Sequence, residues 1–217
     1  MGKLIVFNQI SLDGYFVDAH GDMSWAHNAT EDDEWDEFVA ANASGGGQLV
    51  FGRVTYELMA SYWPTPAAMR NDPVVAERMN NLPKIVFSRT LSEASWNRTR
   101  LVNDDPAAEM RKLKAEPGND MAIMGSGTIV SLLTREGLID EYQIVVVPLV
   151  LGAGRTMFEG VGEKLGLELT KTRTFGNGNV FLRYEPAARS STASPGSSSS
   201  GSTCRSAWRC CRSPSSA

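Results

Sequence analysis

Residues 121–132 read MAIMGSGTIVSL: an apolar run, then Gly-Ser-Gly-Thr, then the first turns of a helix that ends at Gly137. A short apolar strand turning through glycine into a helix is the repeating unit of α/β folds. The same shape is also an anion cradle. Helix N-termini offer unpaired N–H groups and a positive dipole end, and glycine lets the backbone come close to a ligand. Taken alone, the fragment fits a plain turn as well as a cradle, so its neighbours decide.

Working outward, Lys3–Gln9 (KLIVFNQ) reads as a first strand and Leu12–Trp25 as a long loop. Thr30 opens a helix running to about Ala41. Thr30 with Asp33 resembles a capping box, and Trp35, Phe38 and Val39 follow helical spacing. QLVF (48–51) is a buried strand entering Gly52-Arg53 and the helix VTYELMASY, and KIVF (84–87) is a strand ending at Ser88-Arg89. Asn97–Val102 reads as an exposed strand, Asp105–Ala115 as a helix with proline in its first turn, and Asp120–Met124 as a strand. Thr128–Glu136 is a helix, and Glu141–Val147 is a strand closed by Pro148. Leu165–Phe175 and Asn179–Tyr184 form a hairpin through Gly-Asn-Gly. The order β-α-β-α-β-β-α-β-α-β-β-β predicts a mainly parallel sheet between helices, with an antiparallel C-terminal edge.

Composition removes several function classes. At 217 residues the chain suits one well-packed domain. No apolar run approaches the roughly 20 residues that span a bilayer, and MGKLIVFNQISLDG alternates like a strand rather than a signal peptide. A cytoplasmic protein with no membrane partner is the expectation. Four of the 21 basic residues lie from Arg189 onward, which leaves 17 against all 25 acids, a net of −8 for the body. That charge argues against nucleic-acid binding, which needs clustered cations. Cys204, Cys210 and Cys211 all fall in the tail, so the body has no disulfide and no thiolate metal site or nucleophile. With only His20 and His27, no metal centre is expected, and there is no G-x-S-x-G for a serine hydrolase. Residues 188–217 are Ser-rich without apolar periodicity and read as disordered. Their C-x5-C-C spacing matches no common zinc site.

Three strand ends share a character: Gly52-Arg53-Val54-Thr55, Ser88-Arg89-Thr90, and Gly125-Ser126-Gly127-Thr128. Ligands of open α/β sheets gather beyond the carboxyl ends of the strands. Three such ends, two with an arginine, suit one ligand with several phosphates. A pyrophosphate on helix N-termini with a 2′-phosphate held by arginine describes NADPH. The alternative for Arg53 and Arg89 is a surface ion pair with a neighbouring acid. Neither the G-x-G-x-x-G fingerprint nor a Walker sequence is present.

SLDGYF, GDMSW, FGRVTYE, LPKIVFSRTL, MGSGTIVSLL and PLVLGAGRTMFEG occur in this order over Lys3–Glu185. Together they resemble the dihydrofolate-reductase-like superfamily, nearest to the C-terminal reductase domain of the riboflavin-biosynthesis deaminase-reductases. The resemblance implies a reductase domain over residues 1–187. Its sheet would be twisted and mostly parallel, with eight or nine strands and helices on both faces, and the protein would be a homodimer using NADPH. Carried over by motif, Gly52, Arg53, Val54 and Thr55 open a helix on the cofactor phosphates, and Ser88 and Arg89 hold the 2′-phosphate. Met124, Gly125, Ser126, Gly127, Thr128 and Ile129 cradle the pyrophosphate, and Ile10 lies beside the nicotinamide. The loop from Asp13 and Gly14 to Trp25 matches the segment that closes over the nicotinamide. Trp25 would flank the substrate, and PLVLGAGRTMF with Phe158 would form the rim. From the residues alone, Tyr56 and Trp63 are candidates to line the pocket, with a place in the core as the alternative.

The implied reaction is hydride transfer to a C=N or C=O carbon of a small heterocycle, with a proton added to the neighbouring heteroatom. Asp13 and Glu34, or a water they hold, are the candidates for the proton path, and the alternative for Asp13 is a turn residue ahead of Gly14. Dihydrofolate reductases hold the pteridine with a carboxylate early in the first helix. Here Asp32, Asp33 and Glu34 compete for that place, and counting from Phe38 favours Glu34. An acidic first turn serving the helix dipole is the alternative. Pyrimidine reductases of riboflavin synthesis carry Asp-Asp-Pro for the ribose phosphate, where this chain has ELMASYWPTP. Dihydrofolate reductases join Gly-Gly by a cis peptide where this chain has Gly125-Ser126. Three readings stay open: a reductase resembling 5-amino-6-(5-phosphoribosylamino)uracil reductase, a dihydrofolate reductase, and a catalytically silent nucleotide-binding dimer.

Overall fold

The computed structural model describes residues 2–27, 32–44 and 47–187. The tail and Thr30 lie outside the described residues, so neither the tail's expected disorder nor the expected Thr30 cap has a structural counterpart. Strand β1 (Leu4–Ser11) lies at the middle of an eight-stranded sheet. The others are β3 (Gln48–Gly52), β4 (Lys84–Phe87), β5 (Thr99–Val102), β6 (Met121–Met124), β7 (Glu141–Val147), β9 (Leu167–Thr174) and β10 (Val180–Pro186). Their order is β5-β4-β3-β6-β1-β7-β10-β9. From β5 to β7 all neighbours are parallel, and β10 is antiparallel to both β7 and β9. The mostly parallel sheet with an antiparallel C-terminal hairpin is the architecture expected from the sequence. A small second sheet pairs β2 (Tyr15–Asp18) with β8 (Gly154–Thr156).

Strand alternation sorts the core into two faces. On one face Leu4 and Val6 of β1, Val50, Ile85, Ile123 and Ile144 pack against α5 (Pro106–Ala115) and α6 (Gly127–Arg135) through Met110, Val130 and Leu133. The other face has two apolar clusters. Leu49, Phe51 and Val86 meet Tyr56 of α2 (Arg53–Tyr62), Met79 of α4 (Pro73–Asn81) and Trp96. Phe7, Val145, Val147, Phe175 and Phe181 meet Trp35, Phe38 and Val39 of α1 (Asp33–Ser44). There Phe38 lies 4.9 Å from Phe181 and 5.1 Å from Phe175, ring centroid to centroid. Each such buried aromatic contributes about 1.5–3 kcal/mol, so this cluster is the main anchor of α1.

Three local features differ from the sequence reading. The loop of residues 12–25 contains β2 and a 3-10 turn at Ser24–His27, both too short to show a period. Helices α3 (Pro66–Asn71) and α4 fall in the stretch 63–83, to which the sequence reading assigns no element. In each a proline takes the first helical position, where its missing N–H costs nothing, and Thr65 caps α3 by accepting from the Ala68 N–H at 3.2 Å. At the start of α1 the Asp32 carboxylate accepts from the Trp35 N–H at 3.0 Å and from the Asn177 N–H at 2.8 Å. Asp32 thus ties the helix start to the β9–β10 hairpin. These N–H donors, Trp35 first, hold its carboxyl below the usual carboxylate range. Among the described residues no helix is long and apolar enough to cross a membrane.

Candidate active site

The carboxyl ends of β3, β4 and β6 open onto a cleft of about 540 Å³. Its floor is Gly52, Arg53, Val54 and Thr55 at the start of α2, and Ser126, Gly127, Thr128 and Ile129 at the start of α6. No side chain caps either helix, so both N-termini present backbone N–H groups and dipole ends to the cavity.

Ser126 knits the two loops together. Its hydroxyl accepts from the Gly52 N–H at 2.9 Å and donates to the Met124 carbonyl at 3.1 Å, while its own N–H donates to Thr55 Oγ1 at 3.0 Å. The Gly125–Ser126 peptide is trans, and Ser126 adopts a left-handed backbone with φ 59°. That conformation costs a non-glycine residue roughly 1–2 kcal/mol, which the three hydrogen bonds offset. The glycines make this closeness possible. A Cβ on Gly125 (φ +60°) would lie 2.7 Å from Thr55 Cγ2, and one on Gly127 would lie 3.3 Å from the Phe16 ring.

From below, Asn8 fixes the same turn. Its Oδ1 accepts from the Gly125 N–H at 2.6 Å, and its Nδ2 donates to the Gly125 carbonyl at 3.1 Å and to Met157 Sδ at 3.0 Å. Asn8 is 3% exposed on the same face as Leu4 and Val6. The signal for it was available: a polar residue at the third position of a buried alternation. Phe16, Met23, Arg135, Arg155 and Glu159 also line the cleft and were not singled out from sequence. Arg155 is delivered by β8, whose pairing with β2 no local pattern announces.

Of the expected cofactor residues, Arg53 lines the cleft and also pairs with Glu57 at 2.9 Å, so the ion-pair alternative and the cleft position both apply. Arg89 is exposed and without an ion pair among the described residues. It lies just beyond Phe87, the register partner of Gly52. The Ser88 hydroxyl is occupied by the Thr90 and Leu91 N–H groups at 3.2 and 2.9 Å. Ile10 packs half-buried against the α5–α6 core.

The expected substrate and proton residues are scattered. Asp13 accepts from Ser11 Oγ at 2.6 Å, from the Leu151 N–H at 3.1 Å and from the Gly152 N–H at 2.8 Å. The Ser11 hydroxyl foremost, then these N–H groups, hold its carboxyl below the ordinary carboxylate range. Gly14, with φ +86°, completes that turn. Glu34 is turned outward, 70% exposed, and pairs with Arg173 at 3.0 Å. Tyr56 is buried, and its hydroxyl accepts from the Trp96 N–H at 2.9 Å, so it belongs to the core rather than to the cleft. Phe158 sits 5.8 Å from the Tyr142 ring. Trp25 packs against the α1 aromatic cluster, with its indole N–H on the Asp22 carbonyl at 3.1 Å.

Two uncapped helix N-termini, glycines that a Cβ would fill, and three arginines around one cavity fit a ligand with several phosphates. Residues 2–181 match the RibD C-terminal domain family. The chain is 28% identical over 182 residues to the Bacillus subtilis protein YyaP, covering 84% of this chain and 94% of YyaP. A crystal structure assigned to riboflavin biosynthesis from Shewanella sp. PV-4 superposes with a TM-score of 0.70 at 25% identity, over 86% of this chain and 99% of that one. A dihydrofolate reductase from Enterococcus faecalis, complexed with NADP(H), shares the fold with a TM-score of 0.57 at 14% identity, over 86% and 98% of the two chains. The chain belongs to the RibD C-terminal domain family, built on the α/β fold of the dihydrofolate reductases.

Proposed function

We propose that this protein is an NADPH-dependent reductase of a small heterocyclic substrate, of the kind that reduces pyrimidines in riboflavin synthesis. The observation that carries the reading is the paired, uncapped starts of α2 and α6, locked together by Ser126 over an arginine-lined cleft. When bound, NADPH supplies a hydride to the C=N or C=O carbon of the substrate. The loops Gly52–Thr55 and Ser126–Ile129 bind and orient the diphosphate through the first backbone N–H groups of their helices, those of Arg53, Val54 and Thr55 and of Gly127 and Thr128, while Ser126 and Ile129 hold the loop itself and Gly125 and Met124 fix the turn. Arg53 and Arg89, at the ends of neighbouring parallel strands, take the 2′-phosphate together with Ser88. Ile10, near the carboxyl end of β1, would lie beside the nicotinamide, and Trp25 would flank the substrate. Asp13 is held ionised by its donors, so near neutral pH it orients polar groups or accepts a proton rather than giving one. Nothing in the placement of Glu34 favours a dihydrofolate reductase, since its carboxylate faces solvent and Arg173.

A cytoplasmic homodimer accompanies this reading. Strand β9 leaves the sheet open on one side and exposes Leu167 and Leu169, a pairing edge for a second copy. Calorimetric titration with NADPH and NADH tests the cofactor assignment. Micromolar binding of NADPH with weaker binding of NADH is expected, and no binding at hundreds of micromolar overturns it. Loss of reduced-nicotinamide absorbance with the ribosylamino-pyrimidine, and not with dihydrofolate, then identifies the reductase. Cofactor binding without turnover on either substrate supports the silent nucleotide-binding protein instead.

A further inference from the structure

Helix α2 follows β3, which lies between β4 on one side and β6 on the other. Successive helical residues point about 100° apart, so Thr55 and Tyr56 reach toward different neighbours. Thr55 Oγ1 accepts from the Ser126 N–H at 3.0 Å, in the turn after β6. The Tyr56 hydroxyl accepts from the Trp96 N–H at 2.9 Å, in the connection from β4 to β5. That connection, residues 88–98, carries Arg89 and contains no helix or strand. It is fixed at its ends, where the Ser88 N–H donates to the Val102 carbonyl at 3.1 Å and the Arg98 carbonyl accepts from the Lys84 N–H at 2.9 Å. Between them, the Thr90 and Leu91 N–H groups turn back onto the Ser88 hydroxyl. Among the described residues, Trp96 is the one member of 89–97 whose backbone N–H bonds outside the connection, and that bond goes to Tyr56. Trp96 is buried, with its ring 6.1 Å from that of Phe51 and its indole N–H on Asn80 Oδ1 at 2.8 Å. Two residues on, Arg98 keeps a left-handed φ of 57°, which a non-glycine residue holds only where its surroundings fix it. Arg89 is exposed and has no ion pair among the described residues, so the path of this connection sets where its guanidinium stands.

We propose that Tyr56 is a positioning residue for cofactor choice. Through the Trp96 N–H it holds the Arg89 connection at the distance from the α6 turn that a dinucleotide with a 2′-phosphate requires. This rests on the reductase reading above, and it assigns the discrimination between NADPH and NADH in part to a buried bond outside the cleft. The 2′-phosphate sits on the same ribose that carries the diphosphate, so the two anions keep a limited separation and their subsites need one common frame. The start of α2 supplies it. Ser126 is bonded to Gly52 and Thr55, and the Arg89 connection is bonded to the next residue, Tyr56. NADH depends on the first tie alone, whereas NADPH depends on both. A guanidinium–phosphate pair is directional and often bidentate, so a connection free to drift loses it while the diphosphate contacts remain.

The test measures NADPH and NADH affinity by calorimetry, with melting temperature in parallel, for wild type, Tyr56→Phe, Arg89→Ala, the double variant and Met79→Ala. Tyr56→Phe keeps the ring and removes the acceptor. It should weaken NADPH at least tenfold and leave NADH within twofold. Added to Arg89→Ala it should change NADPH affinity by less than twofold, because both substitutions act through one contact. Met79→Ala opens a cavity in the same apolar cluster, and should lower the melting temperature with the preference for NADPH kept. A preference unchanged in Tyr56→Phe overturns the proposal alone. So do equal losses of both dinucleotides in Tyr56→Phe, additive losses in the double variant, or a lost preference in Met79→Ala, each of which makes Tyr56 a core residue only. Wild type that binds neither dinucleotide, or shows no preference for NADPH, overturns the NADPH-reductase reading and the proposal with it.

Discussion

Replacing Asn8 by Leu isolates the support beneath the Gly125 turn. Leu keeps the branching of Asn and, being larger, leaves no cavity, so the loss is mainly polar with some overpacking added. The substitution removes three hydrogen bonds and strands the N–H and C=O of Gly125 where Asn8 was 3% exposed. A buried peptide group left without a partner costs about 1–3 kcal/mol, so two of them predict a loss of roughly 2–6 kcal/mol. For a domain of this size each kcal/mol lowers the melting temperature by about 2–4 °C, so a fall on the order of ten degrees is expected. NADPH affinity should drop more than tenfold, because the first N–H groups of α6 lose their aim. Urea unfolding followed by tryptophan fluorescence measures the first effect and calorimetry the second. Asn8→Asp supplies an internal control. It keeps the acceptor for the Gly125 N–H but sets an ionised oxygen against the Gly125 carbonyl. Burial and that carbonyl raise the folded-state pKa of the new carboxyl above its unfolded value. Its stability relative to wild type should therefore fall as pH rises from about 4 through the raised pKa, and recover in acid. An Asn8→Leu protein within about 0.5 kcal/mol of wild type, with unchanged NADPH affinity, would refute the reasoning.

Gly125→Ala should lose NADPH binding and about 2 kcal/mol or more of stability, since its φ of +60° penalises a side chain and Thr55 stands 2.7 Å from the new Cβ; urea melts and cofactor titration read both. Arg89→Ala should weaken NADPH far more than NADH, and equal losses would place the 2′-phosphate elsewhere. Burial, then the Arg98 charge, pulls the Lys84 ammonium down to about 8. The unfolded chain therefore binds more protons between pH 8 and 10.5, and stability should rise with pH across that window. Lys84→Met should flatten this rise in urea midpoints, at the cost of the bonds Lys84 makes to the Asn80, Leu82 and Asn97 carbonyls. Leu169→Lys on the open edge of β9 should convert the proposed dimer to monomer by light scattering.

The large features were legible in the sequence because they have period and length. KLIVFNQ, QLVF, KIVF, MAIM and EYQIVVV are the strands they look like, and Gly-Asn-Gly is the hairpin turn it looks like. What escaped detection was set by distant pairing or by proline used at its permissive position. β2 and β8 are only 4 and 3 residues long and define each other across some 140 positions. Their pairing is what delivers Arg155 and Phe16 to the cleft. The glycine-bearing strand ends were readable as a phosphate site, but the partners of individual side chains were not. Asp13 reads equally as part of a proton path and as a turn residue until its three hydrogen-bond donors are seen, and Tyr56 as pocket wall or core until its hydroxyl is found on Trp96.

The central place of β1 also governs how the protein is made. Leu4 pairs with Met121 and Ile5 with Glu141, so β1 leaves the ribosome 117 and 136 residues ahead of its partners. At about 5–20 residues per second, that lead lasts on the order of ten seconds or longer. During it, both hydrogen-bonding edges of LIVFNQIS stay open and its apolar side chains lack a cover. Such long-range parallel pairing folds slowly and invites association between nascent chains. Folding yield should therefore respond to translation speed and to chaperones that hold extended apolar segments, more than a melting curve of the finished protein would suggest.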